Sequence, residues 1–599
     1  MNGVQLLLII VGGIAVSAVA HRRGVQPGLV VVVLAAAASF LPGVPRLELD
    51  SELILAVVVP PLLYSATRNA SFSGFSQNLR PILTLGVTLV VLTMGAVGLV
   101  GSWLMPAIGL PAALLLGAVL APPDTITTVS HGDELGLPRR VSAILTGESL
   151  VNDATALTLF GVAAAAAGAE ETMIDNPFLL FLYTAVLGVF VGGVFSIVAL
   201  WLRPRLHNPV LETSLALLLP FTAFLTAEQI HASGILAVVS CAFMFSANTL
   251  MDPKFQYPTA YRTRLQEDAV WPVFDFLLET FVFAYIGLQL RFVVSDLSHT
   301  TAKPGLTITL VAAAVLLVTV IVFRLVAVWL MFWWWDLRRR AFVRKMDQDA
   351  RFRERVKRRA ESRMARRRMQ QSAGEWRGPL GAPTPRESLI VGWTGMRGIL
   401  TLAAAAAIPP TLHDGEPFPG RDAIQAIALF VTLGTLLLQG TTIRTLVRRL
   451  NIDTHGERES ANQLLERGES MIWETVTHSG PPTPDDFDKQ RAAVVGGVVR
   501  GELDDDTARI LVHDVDLHQA AETHLTREET EGTDQPPQPP RPDGPPHLPG
   551  PGGPPQSPGP DGPQPDHPLP PGFDRLSPRN REFAQRYRDR ARRGGPGRR

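Results

Sequence analysis

The sequence predicts an all-α polytopic membrane protein with about thirteen transmembrane helices and a cytoplasmic tail. The first observation is that residues 3–448 contain one apolar run after another, most of them near the roughly 20 residues that cross a bilayer. The second is that residues 449–599 contain no such run. Backbone N–H and C=O groups in lipid must be paired within the protein, so these runs are expected to be helices.

Thirteen apolar segments can be delimited along the chain. They are 3–20, 28–42, 51–66, 81–105, 111–131, 139–168, 177–203, 209–228, 232–247, 270–293, 304–334, 387–411 and 422–448. Loops after the odd-numbered segments carry Lys and Arg, and the largest is the basic loop 336–386. Because cytoplasmic loops are rich in these residues, we expect a multi-pass plasma-membrane protein with its N-terminus outside and its C-terminus in the cytoplasm. The first run has its basic residues after it, which favours a retained helix over a cleaved signal peptide.

Two segments at matching positions are interrupted by helix-breaking residues. Segments 1–6 and 8–13 are two sets of six joined by segment 7, so corresponding segments would run in opposite directions, as in an inverted repeat. Segment 5 is broken at Ala121–Thr125 (APPDT) and segment 12 at Gly392–Gly398 (GWTGMRG). Proline removes a backbone donor, and clustered glycines weaken a helix. Broken helices at membrane depth line cavities or are buried in protein, and many secondary transporters build ion sites from them.

Segment 6 carries polar side chains where a lipid-spanning helix should have none. A charge at membrane depth costs about 2.5–3.5 kcal/mol even on insertion scales, so Glu148 and Asp153 are rarely accidental there, and Asn152 adds a neutral polar group beside them. Glu148 and Asn152 are four residues apart and share a helix face, with Asp153 about 100° further round. Asp124 from segment 5 and Arg397 from segment 12 bring the total to three carboxylates and one arginine. These charges cannot all stay ionised cheaply in a region of low dielectric.

The favoured arrangement pairs Arg397 with Glu148 and leaves Asp153 to bind a cation in competition with protons. Asp124 would lie beside the same cavity. In the alternative interpretation, the arginine and the glutamate form a structural ion pair without any part in ion binding.

The other polar residues also have structural interpretations. Asp124 follows two prolines and could cap the second half-helix, and Asn152 could be an interhelical hydrogen bonder. Ser149 could supply a ligand oxygen or bond back to a carbonyl one turn earlier. Glu279 and Arg324, in segments 10 and 11, are further intramembrane charges that could pair with each other.

Composition separates the remaining regions and excludes several functions. Residues 1–448 are expected to form the membrane domain, with the basic loop 336–386 against the anionic lipids of the inner leaflet. Residues 449–533 are expected to form a helical regulatory segment, and 534–599 a disordered tail rich in Pro, Gly and Arg. The formal net charge is zero and there is one cysteine. These values argue against a nucleic-acid partner and exclude an intrachain disulfide or a multi-cysteine metal site.

Four stretches of the sequence resemble one family. Gly147–Ala154 (GESLVNDA) resembles the signature of monovalent cation:proton antiporters of the sodium/proton exchanger type, in which the Asn-Asp pair marks electroneutral members. Gly392–Ile408 (GWTGMRGILTLAAAAAI) is similar to that family's arginine-bearing broken helix. Ser233–Val239 (SGILAVV) and Phe283–Leu290 (FAYIGLQL) resemble two further segments. The resemblance spans roughly residues 5–450, in the family's order.

The resemblance implies a role for each polar residue of the site. Asp153 would be the main carboxylate that binds the cation and exchanges the proton, and Asn152 would support it. Asp124, Ser149 and Glu148 would complete or shape the site, with Na+ held at Asp153 and Asp124.

The resemblance also implies that Arg397 stabilises the glutamate of the signature. One departure concerns the break in segment 5, where many members have Thr-Asp-Pro. Here the residue before Asp124 is Pro123, which offers only a backbone carbonyl. The choice among Na+, K+ and Li+ is therefore left open.

The implied fold has two inverted six-helix repeats, a core domain that moves and a fixed dimerisation domain that forms a homodimer. The implied function is secondary antiport, which exchanges cytoplasmic Na+ for external H+ by alternating access in pH and cation homeostasis. No cofactor and no enzymatic activity are expected. The alternatives are a K+/H+ antiporter, a cation channel of the same fold, and an intramembrane aspartyl protease using Asp124 and Asp153. A lone arginine and the Asn-Asp pair argue against the protease.

Overall fold

A computed structural model of the chain describes residues 3–23, 27–42, 54–71, 74–75, 78–124, 137–168, 176–251, 260–299, 305–349, 351, 354, 384–452, 455–475 and 482–533. Over these ranges the chain is helical, apart from turns and two isolated β-bridges. Three predicted features lie outside the described residues: the second half of segment 5, most of the basic loop, and the tail 534–599.

Each of the thirteen predicted transmembrane segments contains helix. In chain order the helices are α1 (Gly3–Arg22), α2 (Pro27–Ala38), α3 (Val59–Arg68), α4 (Leu79–Leu104), α5 (Gly109–Leu120), α6 (Arg139–Ala166), α7 (Pro177–Leu206), α8 (Pro209–Gln229), α9 (Gly234–Met251), α10 (Ala260–His299), α11 (Leu306–Gln348), α12a (Pro385–Trp393), α12b (Ile399–Ala406), α13 (Arg421–Leu450), α14 (His455–Glu474), α15 (Pro484–Arg500) and α16 (Asp505–Thr533). Seven of them are long and apolar enough to cross a membrane: α4, α6, α7, α8, α10, α11 and α13. The all-α polytopic fold is therefore confirmed.

Two helices extend well beyond the predicted apolar segments. α10 begins at Ala260 rather than at 270, and α11 continues to Gln348, into the region expected to be the loop 336–386. The apolar pattern marks only the part of a helix that lies in lipid. Arg, Lys and Met are good helix formers, so a helix can continue past the end of its apolar run.

The membrane helices pack as two groups. The six-helix group is α4, α5, α6, α11, α12 and α13, and the seven-helix group is α1, α2, α3, α7, α8, α9 and α10. The six-helix group takes segments 4–6 of the first half and the corresponding segments 11–13 of the second. Gly188 and Gly192 of α7 lie within the seven-helix group, where a Cβ on either would overlap a backbone carbonyl at the start of α9. Glycines spaced four residues apart allow helices to pack this closely.

Helices α14, α15 and α16 form a small bundle with its own apolar core. Asp516 of α16 is 1% exposed and binds two arginines. Arg264 of α10 approaches it with Nε–Oδ2 and Nη2–Oδ1 distances of 2.6 and 2.8 Å, and Arg491 of α15 with an Nε–Oδ1 distance of 2.8 Å. The bidentate geometry of Arg264 fixes orientation as well as distance, so Asp516 joins the bundle to the first turns of α10.

His513 of α16 adds a contact to this docking that is expected to depend on pH. Its Nδ1 lies 3.3 Å from Asp268 Oδ2 on α10, and this hydrogen bond raises the pKa of His513. Protonated His513 therefore favours docking, and that contribution is lost as the pH rises through the His513 pKa of the docked state. Arg68 also faces Asp268, and Asp514 and Asp516 lie near the imidazole.

We expect amide exchange in α16, corrected for intrinsic rates, to be slower at about pH 6 than at about pH 8, on either side of a histidine titration. His513→Gln removes this titrating group and should reduce the difference, whereas His518 of the same helix, whose pKa is lowered by burial, stays in both proteins. Wild-type protection that is equal at the two pH values would contradict this contribution of His513.

Candidate ion-binding site

The breaks of segments 5 and 12 cross each other in the six-helix group. The backbone N–H of Asp124 donates to the Met396 carbonyl at 2.5 Å, in an isolated antiparallel bridge. A Cβ on Gly398 would overlap the carboxylate of Asp124, and a Cβ on Gly395 would overlap the side chain of Arg324. The glycines of the second break are therefore needed because neighbouring side chains occupy the space beside them.

Replacement of Gly398 by Ala should destabilise the crossing. The added methyl group must displace Asp124, and overpacking a buried site costs about 1–3 kcal/mol. We expect a lower thermal unfolding midpoint in detergent for Gly398→Ala. The matched control is Gly193→Ala, which places a methyl group in open space on α7. An unchanged midpoint for Gly398→Ala would show that the crossing can relax freely.

Asn152 holds the first break in place. Its Nδ2 donates to the Pro123 carbonyl at 3.0 Å, and the side chain is fully buried. A carbonyl at a helix break has lost its helical partner, so this bond satisfies a group that the prolines leave open. This hydrogen bond is a specific contact by which Asn152 could support the site, as expected from the sequence.

Asp153 lies one residue further along α6 and is 7% exposed. Within the described part of the chain its carboxylate makes no hydrogen bond, and its charged neighbours are Asp124 and Glu148. Two other buried oxygens nearby in the sequence also lack a partner there, Ser149 Oγ and Asn152 Oδ1. Buried polar atoms normally have partners, so these three groups are available to a ligand that prefers oxygen.

The oxygen atoms that could bind a cation in this site are of several chemical types. Over the described residues no group of three or more His, Cys, Asp and Glu side chains is placed to hold a metal ion. The available atoms come instead from one carboxylate, one amide and one hydroxyl, with the Asp124 carboxylate near them. Oxygen ligands of this kind suit hard cations.

Glu148 pairs with Arg324 of α11, so the predicted pairing with Arg397 is wrong. The distances are 2.6 Å from Nη1 to Oε1 and 3.1 Å from Nη2 to Oε2, and both side chains are buried. Nη2 also donates to the Val391 carbonyl near the end of α12a, at 3.1 Å. This bidentate geometry is the strong form of a carboxylate–arginine contact. Because Arg324 is engaged in it, the ion pair between Arg324 and Glu279 that the sequence suggested is not formed.

Arg397 instead neutralises the ends of two helices. Its Nε donates to the Leu120 carbonyl at the end of α5, at 2.9 Å, and Nη1 donates to the Gly395 carbonyl just beyond α12a. The last carbonyls of a helix lack intrahelical partners and carry the negative end of the helix dipole. In the described structure Arg397 forms no ion pair with a carboxylate. Two helix ends partly compensate its buried charge, and its charged neighbours are Arg324 and Glu148.

The site faces the seven-helix group through α10. Glu279 has Asp124 and Asp275 as its charged neighbours, and the hydroxyl of Ser65 on α3 donates to Asp275. Sequence reasoning missed Asp275. An acid four residues before Glu279 on the same helix was the signal that could have found it.

Comparison with known proteins places these features in a family. A model of the family described as sodium/hydrogen exchanger, transmembrane, matches residues 6–449. A Na+/H+ exchanger of Mycobacterium tuberculosis is 30% identical over 457 residues, which cover 74% of this chain and 74% of that protein. A Na+/H+ antiporter of Aphanothece halophytica is 26% identical over 73% of this chain and 72% of its own length. A sodium, potassium, lithium and rubidium/H+ antiporter of Bacillus subtilis is 27% identical, over 72% of this chain and 60% of that protein.

A solved structure shows the same fold. The sodium proton antiporter MjNhaP1 from Methanocaldococcus jannaschii, at pH 8, aligns with a TM-score of 0.51 over 74% of this chain and 97% of that one, at 16% identity. The expectation of a cation/proton antiporter is thus confirmed at the level of the family. By the family match along residues 6–449 and by its similarity to these relatives, the chain belongs to the transmembrane sodium/hydrogen exchanger family.

Proposed function

We propose that this protein exchanges cytoplasmic Na+ for external H+, with Asp153 as the carboxylate that holds either ion. The observation that carries the proposal is the set of unpartnered buried oxygens on α6. Asp153, Ser149 and Asn152 offer a carboxylate, a hydroxyl and an amide oxygen within two turns of one helix. Asp124 lies beside them at the crossing of the two breaks. A dehydrated Na+ would be held by Asp153 and Asp124 and by these neutral oxygens.

Competition at one carboxylate gives the exchange. Ionised Asp153 attracts a cation, whereas protonated Asp153 has lost the charge that binds it. The residue before it is an amide, so Asn152 adds an oxygen without adding a second titrating group. Glu148 is held by Arg324 and is the structural partner in the site. One cation would then be exchanged for one proton, and transport would be electroneutral.

Alternating access would come from motion between the two helix groups. The six-helix group carries Asp124, Asp153 and both helix breaks, so it would move as the core domain. The seven-helix group would remain fixed and form the interface of a homodimer. Glu279 of α10 lies on the fixed side of the boundary and faces the site.

The orientation follows from the distribution of basic residues. With the N-terminus outside and the C-terminus inside, the α14–α16 bundle lies in the cytoplasm of a plasma-membrane protein. The basic end of α11 would then contact anionic lipids. A cytoplasmic bundle is suited to regulate transport because it is bound to α10.

The residue before Asp124 bears on which cation is selected. Pro123 contributes a backbone carbonyl where a threonine would offer a hydroxyl, and that carbonyl already accepts from Asn152. The Bacillus subtilis relative is named for four cations. Transport of K+ or Li+ in exchange for H+ is therefore the second candidate function.

The test uses purified protein in liposomes that contain a pH-sensitive dye. Addition of NaCl, KCl or LiCl to the outside should drive proton efflux, and the order of half-maximal concentrations gives the selectivity. A voltage clamp set with valinomycin and potassium in the sodium and lithium assays should leave the rate unchanged if exchange is electroneutral. A channel would instead pass cations without proton counterflow and would respond to the clamp. Failure of all three cations to move protons would refute the proposal.

A further inference from the structure

Three carboxylates follow one face of α10 toward the site. Asp268 and Asp275 are seven residues apart, and Asp275 and Glu279 are four apart. At 100° per residue all three fall within about 40° of each other. At about 1.5 Å per residue they extend over about 16 Å, which is roughly half of a hydrocarbon core.

The end of this row that lies far from the ion site, at Asp268, opens into a cavity between the membrane domain and the helical bundle. The cavity has a volume of about 360 Å³, and Asp268, Trp271 and Asp275 of α10 line it together with Arg509 and His513 of α16. This volume has room for several waters. Asp268 binds His513 and also Arg68, so its charge is compensated at the mouth.

Polar atoms without partners lie deeper along the same face. Trp271 is 1% exposed, yet its Nε1 has no hydrogen-bond acceptor among the described residues. Asp275 Oδ2 accepts from the Ser65 hydroxyl, but its Oδ1 is buried and has no donor in the described structure. Buried polar atoms of this kind are normally satisfied by water or by an ion. A polar cavity that reaches both residues provides for either.

Glu279 completes the row at the end near the ion site. Its charged neighbours are Asp275, toward the cavity, and Asp124 of the ion site. No basic side chain of the described chain pairs with Glu279. Arg324, the candidate from the sequence, is engaged by Glu148. Arg68 lines the cavity and lies near Asp275, but among the described residues neither Asp275 nor Glu279 forms an ion pair. Two such carboxylates in line attract cations and raise their local concentration.

We propose that Asp268, Asp275 and Glu279 line the route by which a cytoplasmic cation reaches Asp124 and Asp153. The hydrated cation would enter the cavity beside Asp268 and pass Asp275. It would lose water as it moves from Glu279 to the ion site. Asp275 and Glu279 are positioning residues, since the exchange itself takes place at Asp153. The inference rests on the proposed function, because it assigns the entry path of that site.

The experiment measures exchange in vesicles whose cytoplasmic face is outward. Asp275→Asn and Glu279→Gln should each raise the KM for Na+ about tenfold, the lower end of what charge-lined clefts contribute, while Vmax stays within about twofold of wild type. Glu279→Asp keeps the charge and should restore the wild-type KM. The matched control is Asp422→Asn, which removes an exposed acid from the start of α13, on the extracellular side in the proposed orientation.

Two results would overturn the path. One is an unchanged KM in both neutral variants, and the other is a loss of Vmax at unchanged KM. Wild-type exchange in the same vesicles separates this outcome from failure of the proposed function. An active wild type with unaffected variants removes the path alone.

Discussion

Asp153→Asn is expected to abolish cation-driven proton exchange while leaving the protein folded. The carboxylate that takes and releases the proton is gone, and removal of such a group costs at least about 100-fold in rate. Asn has nearly the shape of Asp, and the native carboxylate makes no hydrogen bond within the described structure. The change also relieves repulsion from Asp124 and Glu148. We therefore expect the thermal unfolding midpoint to stay equal or to rise.

Loss of activity with retained or increased stability is the signature to look for. A purely structural Asp153 would lose both together, because its removal would break contacts. Asp153→Glu serves as the comparison, since it keeps the charge and moves it by one methylene group. It should retain measurable exchange with an altered KM. Exchange above about a tenth of the wild-type rate in Asp153→Asn, far more than loss of the proton-carrying group allows, would rule out the assigned role.

The fold could largely be predicted because lipid imposes one strong constraint. Apolar runs must be helices, and all thirteen segments contain helix. The ends of α10 and α11 could not be predicted in the same way, because outside lipid the apolar signal stops while the helix continues. The two groups of helices also required the structure, since hydropathy does not report which helices pack together.

The members of the site were easier to predict than their contacts. Helix breaks and buried charges are visible along the chain, so Asp124, Asp153 and Arg397 could be singled out by residue type and position. Pairing depends on how each helix is rotated about its axis, and the sequence does not give that rotation between distant helices. Backbone carbonyls at helix ends are equally invisible in the sequence. These carbonyls, rather than a carboxylate, accept hydrogen bonds from Arg397.

The reassigned ion pair leads to the second large expected effect. Glu148→Gln leaves Arg324 buried without its counter-ion, and Arg324→Met leaves Glu148 in the same condition. Loss of one partner from a buried pair costs about 3–5 kcal/mol. We expect each single variant to unfold at a clearly lower temperature in detergent. The double variant Glu148→Gln/Arg324→Met removes both charges and should recover most of the loss, because an uncharged buried pair is often neutral to stability.

The matched control distinguishes the two candidate arginines. Glu148→Gln/Arg397→Met should show no comparable recovery, because Arg397 binds the ends of α5 and α12a and its removal leaves those carbonyls without a donor. Coupling energies from the two double-mutant cycles therefore report which arginine holds Glu148. Strong coupling to Arg397 with weak coupling to Arg324 would contradict the structural pairing. Strong coupling to Arg324 alone would mean that Glu148 is committed to a neighbouring helix, which leaves Asp153 as the carboxylate of α6 that is free to exchange a cation for a proton.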